Sequence, residues 1–182
     1  MQINMNKKSL STKALTKIGI CVALLCVSSY ISIPLPFSLA PITAQTIIIN
    51  LLAIILLPKE AFFAVFAYIL LGACGLPVFS GGTSGIGRIL GPTGGYLVGY
   101  LIAAVVISYL KGKENCFRRY VLVTVFVGIP IIYICGLVSM GIYLQKDIIT
   151  MITVSILPFL PGDLLKCIAG SYLGFELNKR IK

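Results

Sequence analysis

Long apolar runs alternate with short polar breaks along this chain, and the runs carry almost no polar face of their own. A helix on the surface of a soluble protein repeats polar positions with a period near 3.6 residues. Whole windows here lack that repeat, so the pattern predicts helices that are apolar all round. Six segments emerge. The first runs from about Ala14 to Ile33 and stops at Pro34-Leu35-Pro36. The second runs from about Ile42 to Leu57 and stops at Pro58, and the third, from about Ala61 to Gly75, ends at Gly75-Leu76-Pro77. After a glycine-rich stretch from Ser80 to Gly91, the fourth extends from Pro92 to Leu110 and the fifth from about Tyr120 to Leu144. The sixth begins near Ile148, is broken at Pro158 and Pro161, and continues to about Leu177. A membrane crossing takes about 20 residues. The second and third segments fall short of that, so they are expected to be tilted or packed against protein at their ends.

Composition agrees with the pattern. Of 182 residues, 58% are hydrophobic and 11% charged, and the mean hydropathy is +1.04. The predicted class is all-α: a polytopic membrane protein of six transmembrane helices in one bundle, a single domain over residues 1–182. The net charge of +10 does not point to nucleic acid, because the cations sit in short clusters between apolar runs. With the N-terminus inside, Lys7, Lys8, Lys13, Lys17, Lys59, Lys111, Lys113, Arg118, Arg119, Lys179, Arg180 and Lys182 all fall inside, while Arg88 and Lys146 fall outside. That asymmetry places both termini in the cytoplasm and the chain in the cell membrane. The start resembles a secretory leader with a cleavage site at Ser38-Leu39-Ala40, but Pro41 would then be the first mature residue, so a retained first helix is expected. There is no histidine, and the six cysteines form no CxxC pair. Zinc and haem sites of the usual kinds are excluded, and the cysteines read as small hydrophobes. With five acidic residues and no histidine, no assembled nucleophile and base is visible, so neither an enzyme nor a cofactor is expected.

Three charged residues break the apolar background: Arg88, Asp163 and Lys166. An ionised side chain at membrane depth costs roughly 2.5–3.5 kcal/mol on insertion scales, so it is kept for a partner or a ligand. Pro161 suits the first position of a helix, Asp163 then meets the positive end of its dipole, and Lys166 follows three residues later on the same face. The pair reads as the ligand end of a helix on the outer side, or as an internal salt bridge holding the bundle. Arg88 lies in a stretch with five glycines between Gly81 and Gly91. It reads as a carboxylate clamp on the same side or as part of a flexible loop. No Lys-Ser/Thr pair follows the last glycine, which excludes a P-loop. Small residues recur at four-residue spacing in Gly19 and Ala23, in Gly95, Gly99 and Ala103, and in Gly170 and Gly174. Such rows let membrane helices approach closely. The first row is also placed to dock another membrane subunit.

Several motifs together carry a family resemblance. They are Ile33-Pro34-Leu35-Pro36 with Pro41-Ile42-Thr43-Ala44-Gln45; Leu70-Leu71-Gly72-Ala73-Cys74-Gly75-Leu76-Pro77-Val78-Phe79; Leu90-Gly91-Pro92-Thr93-Gly94-Gly95-Tyr96-Leu97-Val98-Gly99; and Pro161-Gly162-Asp163-Leu164-Leu165-Lys166. In these the chain resembles BioY, the biotin-specific substrate-binding (S) component of energy-coupling factor (ECF) transporters, with Ala44 and Pro58-Lys59 as departures. The resemblance implies six helices around a vitamin site open to the outside, with the loop from Pro34 to Pro41 helping to cover the ligand. It implies capture of biotin and assembly with a transmembrane coupling subunit and two ATPase subunits, with solitary operation as a variant. Asp163 and Lys166 fall on ligand-contacting positions, with Tyr96 nearby, and Thr43, Gln45 and Arg88 complete the candidate substrate-binding set. Gly19 and Ala23 are the candidate contacts to the coupling subunit. Composition and spacing alone reach only a membrane bundle that binds a small molecule, and leave another vitamin, such as riboflavin or thiamine, as the competing ligand.

Overall fold

The computed structural model describes residues 11–36, 40–145, 149, 152–153 and 156–181. Lys7, Lys8, Lys146 and Lys182 of the charge count lie outside the described residues, as do Ser38 and Leu39 and the expected start of the sixth segment at Ile148. Each of the six apolar segments supplies a helix. Helix α1 spans Thr12–Ser28, α2 Gln45–Ile55, α3 Pro58–Ala73, and a short α4 Ile86–Leu90. Helix α5 spans Gly94–Leu110, α6 Phe117–Val123, α7 Ile129–Leu144, and the last helix, α8, Leu160–Ile181. A π-helical turn, Thr124–Gly128, joins α6 to α7, so Phe117–Leu144 runs as one helix of 28 residues. Among the described residues it is the one helix long and apolar enough to cross a membrane by length and composition.

The first segment leaves the helix earlier than its apolar run predicts. The hydroxyls of Ser28 and Ser29 bond back to the carbonyls of Leu25 and Cys26, at 2.8 and 2.7 Å, closing the last turn. The chain then enters a two-residue strand β1, Ser32–Ile33, which pairs antiparallel with β2, Ile42–Thr43. This clasp brings the start of α2 against the end of α1. Helix α1 begins where Ser11 accepts a hydrogen bond from the Ala14 N–H at 3.2 Å. Helix α3 begins with Pro58 in its first turn, and Glu60 reaches back to the Leu57 N–H at 3.0 Å.

The short second helix is the centre of the bundle. Ile49, Leu52 and Ala53 are fully buried, and Asn50, Leu51 and Ile54 are nearly so. It packs on α5 and α8, while α5 packs on α7 and α3. A helix ending inside protein leaves carbonyls that water cannot reach. Here other elements satisfy them. The Lys111 ammonium donates to the carbonyls of Ala53 at 3.1 Å and Ile54 at 2.7 Å and also to that of Leu56, and Ser108 donates to Leu56 at 2.6 Å. Lys111, expected as a cation of a simple loop, is instead half-buried and caps α2, where a positive charge also meets the negative end of the dipole.

Two of the small-residue rows are packing seams. A Cβ on Gly95 would run into the Cys135 carbonyl and Ser139, and one on Gly99 would sit 2.9 Å from the Ile132 Cα, so α5 and α7 touch backbone to backbone. A Cβ on Gly170 would lie 2.7 Å from the Ile47 carbonyl oxygen, and one on Gly174 2.7 Å from the Ile54 side chain, which fixes α8 against α2. The third row differs. Gly19 has nothing within 4 Å of a built Cβ, and Ala23 is exposed beside it.

Candidate functional site

The start of α2, the stretch between α3 and α5, the start of α5, the first turns of α7 and the start of α8 converge at one end of the bundle around a cavity of ≈ 60 Å³. One water needs roughly 10–15 Å³ of such space, so the cavity is built for more than a single water. Its floor comes from α8. The chain turns through 156–159, and α8 opens at Leu160 with Pro161 and Asp163 in its first turn. Asp163 is only 7% exposed, yet it lines the cavity. One carboxylate oxygen accepts from Lys166 Nζ at 2.9 Å, and Thr46 Oγ1 makes a longer 3.5 Å contact to the same oxygen. The other oxygen accepts from the Tyr133 hydroxyl at 2.8 Å. The carboxylate thus meets a donor at each oxygen and also faces the positive end of its own helix.

Lys166 sits one turn deeper on the same face and also lines the cavity, its side chain 15% exposed. The two readings of this pair therefore meet in one object: it is a buried ion pair, and it opens onto a cavity. Paired charges that still face an open cavity can exchange partners with a ligand, which a sealed salt bridge cannot.

The upper wall comes from the glycine-rich stretch. Gly81 and Gly82 adopt φ of 71° and 72°, conformations that side chains disfavour. They fold the chain back so that the Phe79 N–H bonds the Thr83 carbonyl at 2.9 Å. Arg88 lies in α4 rather than in a flexible loop, and its Nε donates to Thr83 Oγ1 at 3.0 Å. Arg88 and Thr83 both line the cavity. The same two residues also face a larger outer chamber of ≈ 310 Å³.

Tyr96 and Tyr100, one turn apart on α5, supply aromatic walls, with Phe79 and Phe159. Gly136 on α7 permits the Tyr96 position, because a Cβ there would strike the Tyr96 ring. Thr43 in β2 is buried and lines the cavity. Gln45 does not line it. Fully buried, Gln45 donates to the Tyr68 hydroxyl and accepts from Ser80 Oγ at 3.0 Å, so its amide is engaged behind the wall and steadies Ser80, which does face the cavity.

Of the residues picked from sequence, the fold thus gathers Asp163, Lys166, Arg88, Tyr96 and Thr43 on one cavity and sets Gln45 one layer behind. Sequence reasoning missed Thr46, Tyr100 and Tyr133. Tyr100 carried a signal, its four-residue offset from Tyr96 on one helix face. Tyr133 carried none, since only the approach of α7 to α8 gives its hydroxyl a carboxylate. Among the described residues no cluster of cysteine and acidic side chains is placed to hold a metal.

The model of the BioY family matches residues 4–182. The chain is 39% identical over 167 residues to the biotin transporter BioY of Thermotoga maritima, covering 92% of this chain and 96% of that one. It is 32% identical to the biotin transporter BioY2 of Lactococcus lactis, covering 92% and 91%. Its fold superposes on the crystal structure of the S-component for biotin from an ECF-type ABC transporter with a TM-score of 0.86, at 25% identity and over 94% of this chain. The family and these relatives are transporter components, not enzymes. Matched almost end to end by the family model and by a relative 39% identical to it, this chain belongs to the BioY family.

Proposed function

We propose that the chain is a membrane subunit that captures biotin from outside the cell and hands it on for import. The observation that carries this reading is the Asp163–Lys166 pair on the cavity floor, enclosed by aromatic rings, in a chain whose relatives are named biotin transporters. The chemistry is complementary. The ureido ring of biotin has two N–H donors that a carboxylate accepts, and a carbonyl oxygen that accepts from an ammonium or a tyrosine hydroxyl. Asp163, Lys166 and Tyr133 supply these groups, while the bicycle lies against Tyr96, Tyr100 and Phe159. This orientation sends the valerate tail up towards Arg88, whose guanidinium suits a carboxylate.

The six helical segments are read as crossings of the cell membrane, with both termini cytoplasmic. Support comes from the apolar character of the helices and from the basic end formed by Lys111, Arg118, Arg119, Lys179 and Arg180, which lies opposite the cavity. Energy comes from a separate ECF module of one coupling subunit and two ATPases, with the exposed Gly19 and Ala23 on α1 as the docking row. The test is to purify the protein from biotin-supplemented cells and identify its ligand by mass spectrometry. Stoichiometric biotin is expected, and a vitamin panel should fail to displace it. Absence of biotin together with micromolar or weaker titrated affinity overturns the proposal.

A further inference from the structure

The cavity has an annex that free biotin does not need. Beyond Arg88 lies the outer chamber of ≈ 310 Å³, walled by Ser32, Pro34, Leu35 and Gly81 and sharing Pro41, Ser80, Thr83 and Arg88 with the inner cavity. The two spaces therefore adjoin at the residues that face the ligand's tail. The inner one is narrow and ends at a buried ion pair, which suits a flat polar head. The outer one is roomier and is bordered by the hydroxyls of Ser32, Ser80 and Thr83, by the Gly81 backbone and by the Arg88 side chain. A pocket that fitted only a five-carbon acid would close behind the carboxylate. This one widens there.

We propose, resting on the biotin reading above, that the outer chamber is a second subsite that accepts groups joined to the biotin carboxyl through an amide and ending in a carboxylate. The head of such a conjugate occupies the inner cavity, its amide passes Thr83 and Ser80, and its terminal carboxylate remains within the field of Arg88. Amino acid amides of biotin, the kind released when biotinylated proteins are degraded, have this shape and charge.

The experiment compares calorimetric titrations of the detergent-solubilised full chain with biotin and with the ε-amide of biotin and lysine. The conjugate is expected to bind within about tenfold of biotin. Ser32→Phe narrows the outer chamber alone, and is expected to weaken the conjugate at least tenfold while biotin stays within threefold. A conjugate that binds a hundredfold or more weaker than biotin overturns the second subsite and leaves the biotin reading intact. Equal binding of the conjugate to the Ser32→Phe variant and the parent also overturns it. If biotin itself fails to bind, the underlying reading falls instead.

Discussion

Asp163 carries more of the site than any other side chain, and its value depends on three neighbours. Tyr133, Lys166 and Thr46 each come from a different position in the fold, and all three aim at its two oxygens. Asparagine has nearly the same shape but lacks the charge and offers one acceptor in place of two. A hydrogen bond to a charged group is worth about 1.5–3 kcal/mol, so Asp163→Asn should weaken biotin binding by roughly ten- to a hundredfold. Arg118→Gln at the opposite end should leave affinity unchanged. Measuring thermal melting beside affinity separates the two roles of the pair, since stranding the Lys166 ammonium in a dry site costs stability whether or not ligand is present. A variant that melts early and still binds biotin with parental affinity makes the pair purely structural. At this scale the sequence was informative about charge and, beyond Thr43 and Tyr96, blind to hydroxyls. Asp163, Lys166 and Arg88 stood out because membrane interiors tolerate few ions. Thr46 and Tyr133 are unremarkable in an apolar run until another helix brings them a partner.

At the scale of elements, glycine seams decide where the site residues sit. Helix α5 brings Tyr96 and Tyr100, α7 brings Tyr133, and the two helices meet at Gly95 and Gly99 with no room for a side chain. Gly95→Ala forces a methyl group into the Cys135 carbonyl. Overpacking of this kind costs about 1–3 kcal/mol, so the detergent melting temperature is expected to fall. Biotin affinity should fall with it, because Tyr96 and Tyr133 move apart. Gly19→Ala, where nothing lies within 4 Å, is the control that lowers neither. If Gly95→Ala melts and binds like the parent, the seam does not position the wall. The four-residue spacing of these glycines was legible beforehand, but which rows face inward was not. The same spacing on α1 faces outward, and only packing tells the rows apart. The early end of α1 and the β1–β2 clasp were hidden for a related reason: Tyr30, Ile31 and Ile33 continue the run, and two serines bond back to the carbonyls of the last turn where the helix stops.

The whole molecule presents an uncovered face on α1. Leu15, Ile20, Leu24 and Val27 are 40–65% exposed around Gly19 and Ala23, giving an apolar strip on the surface. In the proposed assembly this strip meets the coupling subunit, and small residues allow the close contact. Replacing both Gly19 and Ala23 with leucine should leave biotin binding and melting as in the parent. The same change should abolish recovery of the complex when the coupling subunit and ATPases are co-expressed and purified by a tag on the ATPase. Intact recovery of the complex would remove α1 from the interface.

The sequence by itself determined the class of the protein, its order of helices and the charged residues worth keeping in an apolar interior, because each rests on local composition and on the cost of burying charge. The motifs also sufficed to point to the family. Tertiary structure decided which of those residues share a cavity. It turned Gln45 from a candidate contact into a support for Ser80, made Lys111 the cap of a buried helix, and gave Asp163 a tyrosine from a helix thirty residues earlier in the chain. The physical reason is the same in each case: a buried polar group must find its partners across the fold, and the chain's one-dimensional order does not say which groups its packing will bring within reach.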